Sequence, residues 1–192
     1  MAKIDKSAFE LRVSNHMYDT TKNITGKYQA SDTDEDCAAG FLVVTGDKLP
    51  NEGYTGLYNE NAYIMGAAAD GAVEYLYACN TFNVQELVDG FGNAYKVGSN
   101  TLGLPIPAGQ RGTYTRIDEG DIFRVGIGNL TTAIASNGFA TVTNGMFVPA
   151  AAAPTDVGTW YFTIEETGNF TQGAYASFEY ALLKAHRVHV AG

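Results

Sequence analysis

The chain has little charge, little cysteine and little proline for its 192 residues, and it has no long apolar run. Lys, Arg, Asp and Glu make up 17% of it, below the usual quarter, so solubility must rest on Ser, Thr, Asn and Gly. Two cysteines, Cys37 and Cys79, are too few for a disulfide framework in a chain this long. Buried free thiols are the expected state, with a single bridge as the alternative, because unpaired Cys is among the most buried residue types. No stretch approaches the ~18 apolar residues of a membrane-spanning helix, so no membrane partner is expected. The opening MAKIDKSAFELRV lacks the apolar centre of a signal peptide, which points to a protein made in a cytoplasm. Without a secretory route, the N-x-T triplets at Asn23, Asn129 and Asn169 carry no weight.

What the chain does have is glycine and aromatics: 22 Gly, 12 Tyr and 10 Phe. Glycine supplies turn conformations and aromatics favour strands, so the mixture points to an all-β fold, a barrel or sandwich with long loops. The net charge of -9 is unevenly spread. Residues 1–27 carry five basic and three acidic residues, whereas 28–183 carry five basic and eighteen acidic ones. An acidic body repels nucleic-acid backbones, and no basic stripe interleaved with aromatics is present, so nucleic acid is not an expected partner.

Residues 1–36 read as an N-terminal arm or irregular lead-in, and 37–192 as one β-rich globular domain. The arm is polar and Lys-bearing, and Phe9, Leu11 and Val13 alternate in a way that allows one short strand. The run Ser31 to Asp36 reads as a solvated loop. Strands are expected at Phe41 to Thr45, at Ala62 to Ala67 and along the alternation Val73 to Cys79. Phe82 to Val88 fits a short helix capped by Thr81, and Asp89 to Asn93 a turn cluster. Arg111 to Ile117 and Asp121 to Ile127, joined by Asp118-Glu119-Gly120, fit a hairpin. Phe139 to Thr143 precedes Asn144-Gly145, the strongest hairpin signal in the chain, with Met146 to Val148 returning. Ala150 to Pro154 reads as a connector. Trp160, Phe162 and Ile164 alternate with Tyr161, Thr163 and Glu165, and Tyr175 to Val190 fits a long strand better than a helix because aromatics and valines dominate its ends.

Chemical motifs fail one by one. Asp32-x-Asp34-x-Asp36 starts like a calcium loop, but Cys37 stands where the sharp turn needs Gly and Val43 where the loop needs Glu. Gly126-Ile127-Gly128 lacks the third glycine of a dinucleotide fingerprint, with Thr131 and Ala133 near the place it would fall. His186 and His189 have no third Cys or His nearby for zinc and read as two exposed histidines. A Ser-His-Asp arrangement would have to recruit these or His16, all near the chain ends. Glu165 and Glu166 are adjacent, which on a strand puts them on opposite faces, a poor geometry for paired acid and base work. The chain is therefore expected to be no enzyme, with no cofactor and no metal.

One stretch carries a resemblance. Asn100-Thr101-Leu102-Gly103-Leu104-Pro105-Ile106-Pro107-Ala108-Gly109, then Arg111 and Tyr114-Thr115-Arg116, lead into Gly120-Asp121-Ile122-Phe123-Arg124-Val125-Gly126-Ile127-Gly128-Asn129-Leu130. Phe139-Ala140-Thr141-Val142 and the closing Tyr175 to Val188 follow. This resembles the small structural proteins encoded beside the major capsid gene in tailed bacteriophages, the head-decoration or cement type, over residues 37–190. The resemblance implies a β-rich virion module on the capsid exterior that stabilises the shell, made in the host bacterial cytoplasm. It implies the major capsid protein as partner, self-association on the capsid lattice, and an arm that reaches the shell through Lys3, Lys6, Phe9, Leu11, Arg12 and Val13. Two alternatives stand beside it. One is another virion component, a tail, baseplate or shell subunit, although the long helix usual in a shell subunit is not in sight. The other is a carbohydrate-binding β-sandwich that stacks sugars on an exposed Trp160 or on Tyr161.

Overall fold

Short alternating segments separated by turn residues become strands wherever each face has something to cover it. A computed structural model of the chain describes residues 9–13, 23–49, 62–81, 86–88, 94–96, 105–132, 138–172 and 176–190. The first half of the strands is β1 (Phe9–Val13), β2 (Asn23–Ala30), β3 (Thr33–Asp34), β4 (Leu42–Lys48), β5 (Ala62–Ala67), β6 (Tyr77–Thr81) and β7 (Glu86–Val88). The second half is β8 (Ala94–Lys96), β9 (Gly112–Arg116), β10 (Ile122–Gly126), β11 (Phe139–Thr143), β12 (Met146–Ala150), β13 (Trp160–Gln172) and β14 (Ala176–Arg187). A single turn of 3-10 helix, Ile127–Asn129, follows β10, and the described residues contain no α-helix. The fold is all-β, as the composition implies.

Five strands close into a barrel in the order β2-β5-β4-β6-β9, with β9 pairing back onto β2. The β2–β5 pair is parallel and the others are antiparallel. Tyr28, Val43, Met65, Ile106, Tyr114 and the two cysteines fill the interior. The bore is tight enough to dictate glycine. Gly26 and Gly112 face each other across β2 and β9. A Cβ at Gly26 would lie 2.4 Å from Met65 Cγ, and one at Gly112 2.0 Å from Ile106 Cδ1. The wall is bare there so that two large side chains fit inside it.

The second body is an antiparallel sheet in the order β1-β10-β14-β13-β11-β12. Its inner face buries Phe123, Phe147 and Phe162 edge-on or tilted, with ring centroids 5.0 to 6.0 Å apart. The sheet is strongly curled. Leu130 forms a parallel bridge with Phe147 of β12, and Thr131 N–H donates to Phe147 O at 3.0 Å. A flat sheet would set β10 and β12 about 19 Å apart, four strand spacings of ~4.8 Å. Gly126 to Leu130 reaches at most about 14 Å even when extended, so the far edge must bend back toward β10.

β4 and β6 belong to both bodies. Val43 and Cys79 point into the barrel, while Leu42 and Ala78 join the core under the sheet. The β11–β12 turn pins the sheet there. Asn144 and Gly145 have φ of 47° and 73°, the two positive values this turn requires. Gly145 then docks on the barrel: Leu42 N–H donates to Gly145 O, and Gly145 N–H to Ala68 O, both at 2.9 Å. A Cβ at Gly145 would lie 2.2 Å from Phe41 Cζ.

Several expectations from the sequence need correction. Arg111 to Ile127 is not a hairpin: β9 lies in the barrel and β10 in the sheet. Ile117 N–H stays on Leu76 O, while Gly120 N–H turns to Ala185 O, so Asp118-Glu119-Gly120 makes a corner between the two bodies. The expected helix at Phe82 to Val88 is replaced by strand at both ends, Thr81 closing β6 and Glu86–Val88 forming β7. Residues 82–85 and 89–93 lie outside the described residues. Within the alternation Val73 to Cys79, strand begins only at Tyr77. Residues 23–36, expected in the arm, contribute β2 and β3, and Ser31 and Asp32 make a tight turn with φ of 49° and 64°. The short strand at Phe9–Val13 forms, but its partner is β10 of its own chain. Lys3 and Lys6 lie outside the described residues.

Two measurements check this architecture. Gly145→Ala and Gly71→Ala both force alanine into positive φ, at a cost of roughly 1–2 kcal/mol each. Nothing lies within 4 Å of a Cβ at Gly71. Gly145→Ala must also displace the Phe41 ring, so urea unfolding is expected to show it at least about 1 kcal/mol less stable than Gly71→Ala. Equal losses would show that the docked turn gives way freely. In the native protein, both thiols are expected to react with a disulfide reagent no faster than the chain opens; rapid reaction of either would overturn the closed barrel.

Candidate interaction surface

Among the described residues, the cysteines and the acidic run make structural contacts. Cys79 Sγ–H donates to Cys37 O at 3.5 Å inside the barrel, and both thiols are buried and free. The hydrogen bond with Cys37, reinforced by burial, pushes the Cys79 thiol well up, so the reactive thiolate is suppressed. Burial, with the two cysteines adding to it, likewise pushes the Tyr114 hydroxyl up. Of the acidic run, Asp34 accepts Gln29 Nε2 at 2.8 Å and Lys27 Nζ at 3.1 Å, and these two bonds hold its carboxyl below the usual range. Asp36 Oδ1 accepts Ala108 N–H at 2.7 Å and so ties the segment before β9 to the barrel. Among the described residues no group of three or more His, Cys, Asp or Glu could hold a metal ion.

The two histidines part company. His186 is half-buried on the outer face of the sheet, stacked on Tyr161 with centroids 5.1 Å apart and planes at 16°. Its Nε2 lies 3.0 Å from Thr163 Oγ1. Desolvation, with the neighbouring Lys184 ammonium, pushes its pKa down. His189 is exposed and meets Glu119 at 2.9 Å. Desolvation alone would raise the Glu119 carboxyl, but the His189 ring and a backbone bond from Arg187 outweigh it, and the net shift is down. The expectation of two exposed histidines therefore holds only for His189.

Glu165 and Glu166 do not take opposite faces. The β13–β14 register slips between Ile164 and Glu166, a bulge that leaves both carboxylates exposed. Thr163 Oγ1 donates to Glu165 and Tyr180 Oη to Glu166, each at 2.7 Å. Trp160 is also not where a sugar-stacking platform needs it. It is 3% exposed, in the shared core, with Nε1–H donating to Glu74 O at 2.7 Å. Tyr161 has one ring face covered by His186. His16 lies outside the described residues.

What the surface does present is apolar side chains on braced turns. Val73 and Tyr75, on the loop before β6, are 48% and 59% exposed, and Val157, on the loop before β13, is 57% exposed. The two loops meet: a Cβ at Gly158 would lie 3.6 Å from Val73 Cγ1. Arg187 clamps both, Nη2 donating to Val73 O and Nε to Gly158 O at 3.0 Å. The Arg116 guanidinium sits 5.6 Å over the Tyr75 ring. Ala72 and Leu76 on the same loop are buried, so the stretch is anchored at both ends while Val73, Glu74 and Tyr75 between them face out. The sequence signal for this patch is large apolar residues set among turn formers, Asp70-Gly71 with Val73 and Asp156-Val157-Gly158, which a search for catalytic spacing passes over. A second feature is a cavity of about 290 Å³ between the 3-10 turn and the base of the β13–β14 hairpin, lined by Ile127, Leu130, Thr167, Asn169, Glu179 and Ala181 among others.

The His186 environment gives a pH test. Its pKa is depressed in the folded state, so the unfolded chain binds the proton first as pH falls. The stabilisation is complete above about pH 6.5, the unfolded value, and is lost as pH falls through the folded value. Between about pH 7 and 5 the wild type is expected to lose urea stability more steeply than His186→Gln. Parallel curves would show that the stack does not favour the neutral ring.

No protein-family model matches the chain, and neither a curated protein nor a solved structure is significantly similar to it.

Proposed function

We propose that the chain is a non-enzymatic virion protein of the tailed-phage head-decoration type, which binds the outside of the capsid through the major capsid protein and stabilises the shell. The resemblance carried by Asn100 to Leu130, Phe139 to Val142 and Tyr175 to Val188 motivates the reading. The observation that carries it is the braced apolar patch of Val73, Tyr75 and Val157 on an otherwise acidic body. Apolar groups held out in water by backbone-directed Arg187 and Trp160 bonds are ordered before any partner arrives, so docking costs little further entropy. Tyrosine is favoured at such contacts because it brings much area with few rotatable bonds. One patch of this size is a modest footprint, which suits a protein repeated over a lattice, where neighbours add avidity. Lys3, Lys6 and Arg12 remain the charges through which an arm would respond to salt. Strand pairing to the shell through Phe9, Leu11 and Val13 would require β1 to leave β10.

The test uses capsids of the phage that encodes the chain, prepared without it. Wild-type protein is expected to cosediment to saturation. The double variant Tyr75→Ser, Val157→Asp, verified as folded by circular dichroism, is expected to bind at least about tenfold more weakly, or ~1.4 kcal/mol. A folded variant with unchanged occupancy would remove the patch as the footprint. Wild-type binding to isolated tails or baseplates and not to capsids would move the protein elsewhere in the virion.

A further inference from the structure

The β13–β14 hairpin is longer than the sheet that carries it. On one side, β10 pairs with β14 from Lys184 to Tyr180 and stops at Gly126, where the chain turns into the 3-10 helix. On the other side, β11 pairs with β13 only at Phe162 and Thr163, and a last bond runs from Ile164 N–H to Gly138 O at 3.0 Å. Beyond those points Asn169 to Gln172 pair with Glu179 to Ala176 alone. Past Tyr180 the hairpin is a two-stranded ribbon of four residue pairs, about 13 Å long at ~3.3 Å per residue, with no strand on either edge among the described residues. The bulge between Ile164 and Glu166 lies where β13 leaves β11.

Such an edge is a template for another strand, and proteins ordinarily blunt it with lysine or proline. The sheet's own terminal strand β12 carries Pro149. From 165 to 183 there is no Pro, Lys or Arg. A ribbon of two strands is also marginal by itself in water, and a third strand stabilises it. The cavity of about 290 Å³ lies at its base, its walls including Thr167 and Asn169 of β13 and Glu179 of β14. An unpaired strand edge beside a cavity for a side chain is the arrangement of strand-addition sites, where backbone bonds give affinity and the pocket gives selectivity. Charge selects the occupant. Glu165, Glu166 and Glu179 are exposed at the ribbon's root. A second copy's ribbon would oppose like charges, which destabilises a cross-strand pair.

We infer that the β13–β14 ribbon is a strand-addition site for an extended segment of a partner protein that carries Lys or Arg on alternate positions and a side chain for the cavity. This goes beyond the decoration reading and holds whatever partner the apolar patch engages.

The experiment uses the full chain and two synthetic heptapeptides, one alternating lysine with valine and one alternating glutamate with valine. Hydrogen exchange is followed by mass spectrometry across the whole chain. The lysine peptide is expected to slow exchange at 166–172 and 176–179 at least about tenfold and saturably, and the glutamate peptide to leave it unchanged. The triple variant Glu165→Lys, Glu166→Lys, Glu179→Lys is expected to exchange this preference and respond to the glutamate peptide. Should that variant not fold, the wild-type comparison of the two peptides decides alone. No protection, equal protection by both peptides, or protection confined to other strands would overturn the inference. Ribbon protection that rises with protein concentration in the absence of peptide would also overturn it, by making a second copy the occupant.

Discussion

The structure depends on two short stretches of strand that have no outside, Leu42-Val43 of β4 and Ala78-Cys79 of β6. In β4 and β6 successive residues serve different cores: Leu42 and Ala78 lie under the curled sheet, and Val43 and Cys79 lie in the barrel. A strand buried on both faces cannot carry a polar residue at either position, and it cannot be uncovered on one face without exposing apolar surface. Barrel and sheet are therefore not two independent modules. Parting them would bring Leu42, Leu76, Ala78, Phe147 and Phe162 into water at once, at roughly 1.5–3 kcal/mol for each large side chain.

The junction is reinforced where that burial leaves backbone groups needing partners. Gly145 exchanges bonds with Leu42 and Ala68, Asn129 Nδ2–H donates to Ala39 O at 2.7 Å, and Trp160 Nε1–H reaches Glu74 O. Each joins a residue of the sheet body to one of the barrel body. The Trp160 and Arg187 bonds also hold the loop that displays Val73 and Tyr75, so the stiffness of the exposed patch derives from the junction beneath it.

Much of the fold is legible in the sequence where a single strand or turn decides it. Ala62 to Ala67 forms β5 with the expected bounds, Asn144-Gly145 closes the expected hairpin, and the valine- and aromatic-rich final segment forms a strand. Failures concentrate where the answer depends on a partner far along the chain. Asp118-Glu119-Gly120 has the composition of a hairpin turn, yet whether the strands it joins pair depends on Leu76 and Ala185, far away in both directions. The bulge that turns Glu165 and Glu166 outward together is invisible to period-two reading, because one extra residue shifts the register without changing composition. Nothing in the sequence around Gly26 or Gly112 asks for glycine; the need appears only with their opposition across β2 and β9. Trp160 shows the same limit at a single residue: its alternation gives it a face, but only the packed sheet says that this face is the closed one.

The place of β1 bears on synthesis. Val13 lies opposite Ile122, so everything between them is inserted between two neighbouring strands of one sheet. At 5–20 residues per second, the ~110 residues separating them keep β1 waiting roughly 5–20 s on the ribosome before its partner exists. Closing so distant a pair is entropically slow, which places β1 among the last strands to be secured. During that interval the nascent chain offers a short free strand, and crowding by identical neighbours on one messenger would let β1 of one chain reach β10 of the next.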